Sequence, residues 1–162
     1  MPVPFRRCAS RLAASCLAII ASALLCLAAA APAQASLGAR RASIDADVGH
    51  LRARLKSTAQ ATYTEHDLTG DGGMVTREFT NGAGTVFAVS WSGPVRPDLQ
   101  QLFGDYFPRL QADTQGRSRM RRPLRADDID FVVRTGGHPG AMWGFAVLPG
   151  EVPQGFPMEA LQ

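Results

Sequence analysis

Three groups of residues in this chain have types and spacings that bear on chemistry. The first is the run from Asp67 to Phe79, D-L-T-G-D-G-G-M-V-T-R-E-F. Asp67, Thr69, Asp71 and Glu78 fall at positions one, three, five and twelve of a calcium loop, with Gly72 at the turn. Such a loop needs a helix on either side. Here the entering Thr62-Tyr63-Thr64 favours strand, and Asn81-Gly82 breaks the exit. The context therefore predicts a β-hairpin with an Asp/Gly-rich turn, Glu78 lying on its second strand beyond reach of that turn. Calcium binding at Asp67, Thr69, Asp71 and Glu78 is kept as an alternative.

The second group is the histidines, His50, His66 and His138. Their spacing matches no compact metal site. His66 stands between Glu65 and Asp67, but neighbours along a strand point to opposite faces, so it cannot pair with both from its own strand. His138 sits in Gly136-Gly137-His138-Pro139-Gly140, a turn that would offer an imidazole to solvent or to a ligand. No serine lies in a nucleophile elbow, and no catalytic set is assigned.

The third group is made of contact-forming side chains. Trp91, Trp143 and Phe145 fall on strand-like runs and would line a groove or pack a sheet face. Arg117, Arg119, Arg121, Arg122 and Arg125 form a basic run, followed by Asp127, Asp128 and Asp130. That run reads as a solvated loop with its charge balanced nearby, or as a contact for an anionic headgroup or an acidic partner.

The start of the chain decides which of these charges count. Arg6, Arg7 and Arg11 precede an uncharged alanine- and leucine-rich run from Leu12 to Ala31. Pro32 and Ala33-Gln34-Ala35 follow, the small-x-small pattern of a secretory signal cut after Ala35. The expectation is a signal peptide over 1–35 and a single globular domain over 36–162, periplasmic or secreted, with no membrane segment after cleavage. The full chain has a net charge of +3, from 17 basic and 14 acidic residues. Three of the basic residues are those leader arginines, so the mature chain is formally neutral. It lacks the basic excess that nucleic-acid binding needs. Cys8, Cys16 and Cys26 all lie in the leader. The mature chain therefore has no disulfide, thiolate metal site or cysteine nucleophile, and at this length it builds its core without staples.

The elements that must position these residues follow from periodicity. Residues 36–42 read as a polar lead-in. Ile44, Val48, Leu51 and Leu55 predict a helix over 44–58, with Ser43 as its cap. Strands are predicted over 62–68, 74–80 and 85–91; Val75, Arg77 and Phe79 share one face of the second, and Phe87, Val89 and Trp91 one face of the third. A second helix is expected from Pro97, ended or kinked at Pro108. Residues 112–126 read as a loop, and strands over 129–135 and 141–148 close a second hairpin. The tail carries a short helical turn near 158–161. The order α-β-β-β-α-β-β predicts an α+β fold, an antiparallel sheet of about five strands with two helices on one face.

Several of these stretches resemble one family. They are Ala35-Ser36-Leu37-Gly38, Tyr63-Thr64, Arg77-Glu78-Phe79, Gly84-Thr85-Val86-Phe87-Ala88-Val89 with Trp91 and Gly93-Pro94, Pro97-Asp98-Leu99, and Gly136-Gly137-His138. Together they resemble the domain of unknown function 2844, a family of small exported proteobacterial proteins. The likeness covers nearly the whole mature chain. It implies export, and it brings no activity, cofactor or catalytic residue. Its members have a plainer hairpin turn where this chain has Asp71 and its glycines, which argues against calcium.

The residues favour an exported binding or accessory module over an enzyme, with no cofactor. Candidate contacts are His138, Trp91, Trp143, Arg121 and Arg122, for another exported protein or an envelope lipid or glycan. The alternative from another class is a small hydrolase or lyase using His138 or His66 with a nearby carboxylate.

Overall fold

The computed structural model describes residues 37–115 and 125–162; Ala33–Gln162 form one compact unit. Helix α1 (Ala42–Leu51) leads into strands β1 (Ala53–Ala59), β2 (Tyr63–Gly70), β3 (Val75–Asn81) and β4 (Val86–Gly93). Helices α2 (Leu99–Phe103) and α3 (Phe107–Gln115) follow, then β5 (Arg125–Asp127), β6 (Val132–His138) and β7 (Ala141–Val147). All seven strands lie in one antiparallel sheet, ordered β1-β2-β3-β4-β7-β6-β5. The α+β class and the antiparallel sheet are as the sequence predicts. The strand count is seven, not five.

One of the two extra strands comes from the predicted first helix. The chain turns at Arg52, whose φ of 48° is left-handed. That residue converts helix to strand with no intervening loop. Leu55, spaced to continue the helical stripe, therefore stands on β1 and is largely exposed. The helix also begins earlier than expected, so Ser43 lies inside its first turn rather than capping it. The predicted lead-in is not a free arm either. Leu37 is buried in the core, and Gly38 and Ala39 bond to both polar groups of Val86.

The helices cover one face of the sheet. Ile44 on α1 packs with Leu68 and Val86. Leu102 and Phe103 on α2 and Leu110 on α3 pack with Val89, Trp91, Phe131 and Val133. The Gln101 side chain donates to Asp47 across 2.8 Å, tying α2 to α1. Asp98 caps α2, accepting from the N–H groups of Gln100 and Gln101. The break between α2 and α3 falls at Gly104, with φ of 47°. Pro108 sits in the first turn of α3, where proline is tolerated, so it neither ends nor kinks a helix as predicted.

The C-terminal tail covers the opposite face. Phe156 meets Phe87 and Tyr63 edge-on at centroid distances of 4.9 Å, and Phe79 at 5.4 Å. Phe87 is on this face because the register shifts between Phe79 and Thr80: Phe79 pairs with Ala88, Thr80 with Val86. The extra residue turns Phe87 away from Val89 and Trp91, against the predicted alternation. Asn81 donates from its amide to the carbonyl and carboxylate of Glu151, anchoring the tail where it leaves β7.

Candidate functional site

A groove of about 600 Å³ opens on the tail-covered face. Two rows of cross-strand neighbours build its floor. One row runs Arg77, Ser90, Phe145, Arg134 through β3, β4, β7 and β6; the next runs Val75, Ser92, Trp143, Gly136. Leu161 and Gln162 border it. Strands supply the rows because side chains two apart share a face and directly paired residues stand side by side.

Trp143 is the exposed apolar surface of the groove, with 45 % of its area open to solvent. Its indole lies against the backbone of Gly136, in the space a Cβ there would occupy. The absence of a side chain at 136 is what lets the ring lie across the sheet. Arg134 stands one row away, its Nη1 donating to the carbonyl of Val133 at 3.0 Å. At the other end, Nε of Arg77 is 3.4 Å from Asp67 and 3.8 Å from Glu65, so this guanidinium already has carboxylate neighbours.

The predicted contacts are distributed differently from expectation. Trp143 is on the groove. Trp91 contributes backbone between the two rows, but its side chain is 4 % exposed and packs on the helix side against Phe103. His138 is exposed in the β6–β7 turn, where its Nδ1–H donates to the Pro139 carbonyl. Arg121 and Arg122 lie outside the described residues. Asp67 and Glu78 stand on opposite faces of the β2–β3 hairpin, Asp67 beside Arg77 and Glu78 fully buried under the helices. Asp71 is exposed at the turn. The hairpin therefore does not gather Asp67, Thr69, Asp71 and Glu78 round one point. Among the described residues, no group of three or more histidines and acids is placed to hold a metal ion.

The residues that sequence reasoning missed are Arg77 and Arg134. Each is a cation within a strand, next to residues that alternate apolar and polar. A charge repeated on one face of a sheet is a signal of a polar site there, legible only once the pairing of β4 with β7 brings the two hairpins together.

A second polar cluster lies on the other face, at the β1 edge. His66 is 1 % exposed. Its Nδ1 is 2.8 Å from the Ser57 hydroxyl and its Nε2 is 3.1 Å from that of Thr80. A neutral imidazole donates from one nitrogen and accepts at the other, so the two hydroxyls play opposite roles. Burial, and secondarily the Arg41 guanidinium, hold the ring below the usual histidine pKa. Glu78 is the direct partner of His66 on β3, so a carboxylate does stand beside this histidine.

The fold and its two polar clusters thus define a small α+β protein with one antiparallel sheet, helices on one face and a groove on the other. The chain belongs to the family described as "Protein of unknown function (DUF2844)", whose sequence model matches residues 33–161. No curated protein and no solved structure matches it.

Proposed function

We propose that this protein is an exported binding module that takes a stretch of anionic envelope glycan in the groove beside Trp143. The observation that carries the reading is the juxtaposition of an exposed indole, laid across a glycine, with the guanidinium of Arg134 one row away. A sugar ring has a flat C–H face that stacks on an aromatic ring, and hydroxyls round its rim that suit Ser90 and Ser92. A carboxylate on the ring pairs with a guanidinium through two parallel hydrogen bonds. An open groove suits a segment of a longer chain better than a small molecule enclosed on all sides.

Export is supported by the leader's composition. An uncharged alanine- and leucine-rich run from Leu12 to Ala31 follows three arginines and ends in the small-x-small pattern Ala33-Gln34-Ala35. Among the described residues no helix is long and apolar enough to cross a membrane. N-terminal sequencing of protein recovered from the cell envelope should begin at Ser36; a start at Met1 there rejects cleavage, and native protein starting at Met1 in the cytosol rejects export.

Tryptophan fluorescence tests the ligand. Titration with oligogalacturonate should give a saturable change that neutral cello-oligosaccharides do not reproduce. By titration calorimetry, which does not depend on the indole as reporter, Trp143→Ala and Arg134→Gln should each weaken binding at least about tenfold, the loss of one charge-assisted or stacking contact. Equal affinity for the neutral sugar, binding that survives both substitutions, or a response only to anionic lipid vesicles overturns the glycan assignment.

A further inference from the structure

We propose that Ser57 is an acyl-accepting nucleophile on the open edge of the sheet, with His66 as its base and short-chain activated esters as its substrate class. This site is independent of the groove and lies on the opposite face of the sheet.

The backbone pairing puts the hydroxyl in position. The Gln60 N–H donates to the Tyr63 carbonyl at 2.8 Å, which makes that pair a hydrogen-bonded one. In an antiparallel ladder bonded and non-bonded pairs alternate. With the register Ala59↔Thr64, Thr58↔Glu65 and Ser57↔His66, the Ser57–His66 pair is non-bonded. Two consequences follow. Side chains of such a pair approach most closely, as the 2.8 Å contact reflects. The N–H and carbonyl of Ser57 also point away from β2. Because β1 is the last strand of the sheet, they point to the open side.

Each part of an acyl transfer then has a group. With its proton on Nε2, His66 donates to Thr80 Oγ1 and presents the Nδ1 lone pair to the Ser57 hydroxyl. Among the described residues, Glu78, the cross-strand partner of His66 on β3, and Arg41 ahead of α1 are the ionisable neighbours of the ring. Burial and then Arg41 depress its pKa, so the neutral base is the resting form at neutral pH. Ser57 Oγ forms a bond to the acyl carbon of the ester while its proton passes to Nδ1. The outward N–H of Ser57 faces the developing oxyanion, a role the nucleophile's own backbone plays in serine enzymes. The acyl–alkoxide bond breaks, and His66 returns the proton to the leaving alcohol. Ser57 is exposed, so an ester reaches it without a conformational change.

The test uses the mature protein and p-nitrophenyl acetate, followed by p-nitrophenolate release, intact mass and peptide mapping. The expected result is a burst of one equivalent and a single acetyl group on Ser57. Ser57→Ala, a change on an exposed edge strand, should abolish the adduct, and Ser57→Cys should restore acylation. His66→Gln should slow it at least about 100-fold, the usual contribution of a positioned base. His50→Ala, which removes an exposed histidine of α1, should leave the burst unchanged. The rate should rise through a pH below 6.5, the ordinary histidine value, and be flat at neutrality. An unacetylated wild-type chain, acetyl on another residue, or an equal rate in a folded His66→Gln variant overturns the proposal.

Discussion

The indole of Trp143 lies over Gly136, its partner across the β6–β7 ladder, in the space a side chain there would need. Trp91 stands in the same relation to Gly144, its partner across β4 and β7, on the opposite face. The geometry is shared and the surroundings are not: Trp143 borders open solvent, whereas Trp91 is buried against α2.

That contrast makes a paired prediction. Gly136→Ala should push the Trp143 ring outward at little cost in stability, because the displaced ring has solvent to move into. It should also abolish the fluorescence response of the groove. Gly144→Ala should cost about 1–3 kcal/mol or more, since Trp91 can move only by disturbing a packed core. Urea unfolding of the two variants measures the difference; equal losses would mean that Trp143 is held as tightly as Trp91.

Phe156 closes the tail over Tyr63, Phe79 and Phe87. Its truncation to alanine should destabilise the protein by about 3–5 kcal/mol, the range for removing a buried phenyl ring. It should also expose the second face of the sheet, read as increased binding of a hydrophobic dye. A loss below about 1 kcal/mol would show that the tail contributes little to the native state.

His66 makes stability depend on pH with a definite sign. Its folded pKa lies below 6.5, so the native state binds fewer protons than the unfolded chain in the window beneath that value. The contribution of the neutral ring is complete above 6.5. It is lost as the pH falls from there through the depressed folded value. Chemical unfolding between pH 7.5 and 5 should therefore show a decline that His66→Gln flattens. Identical slopes for the two proteins would assign the decline to other groups.

Arg52 holds a left-handed conformation with φ of 48° at the join of α1 and β1. This conformation costs an L-residue about 1–2 kcal/mol, and glycine adopts it freely. Arg52→Gly gains that relief and loses part of it to the greater freedom of the unfolded chain. The net expectation is a stability unchanged or raised by up to about 1 kcal/mol, read as the midpoint of thermal unfolding. Arg52→Pro, which cannot take positive φ, should disrupt the join and lower that midpoint sharply.

The α+β class, the antiparallel β2–β3–β4 run, the β6–β7 hairpin and the last helical turn were all legible in the chain. Each is local: alternation of two, Gly/Asn turn signals and apolar spacing act over a few residues, and nothing distant overrides them. The separation of His66 from Glu65 and Asp67 onto opposite faces followed from the same alternation.

Tertiary structure decided the rest. Leu55 kept helical spacing, yet it lies on a strand because pairing with Leu68 on β2 outweighs a weak local preference. Phe87 changed faces at a register shift that no single strand encodes. Trp91 and Trp143 look alike in sequence, and only the layers above and below them make one core and the other groove. Ser57 and His66 are brought together, and Arg77 and Arg134 set in one row across four strands, by pairing between strands. Pairing energy depends on which strands meet and in what register, and that is a property of the folded sheet rather than of any one segment.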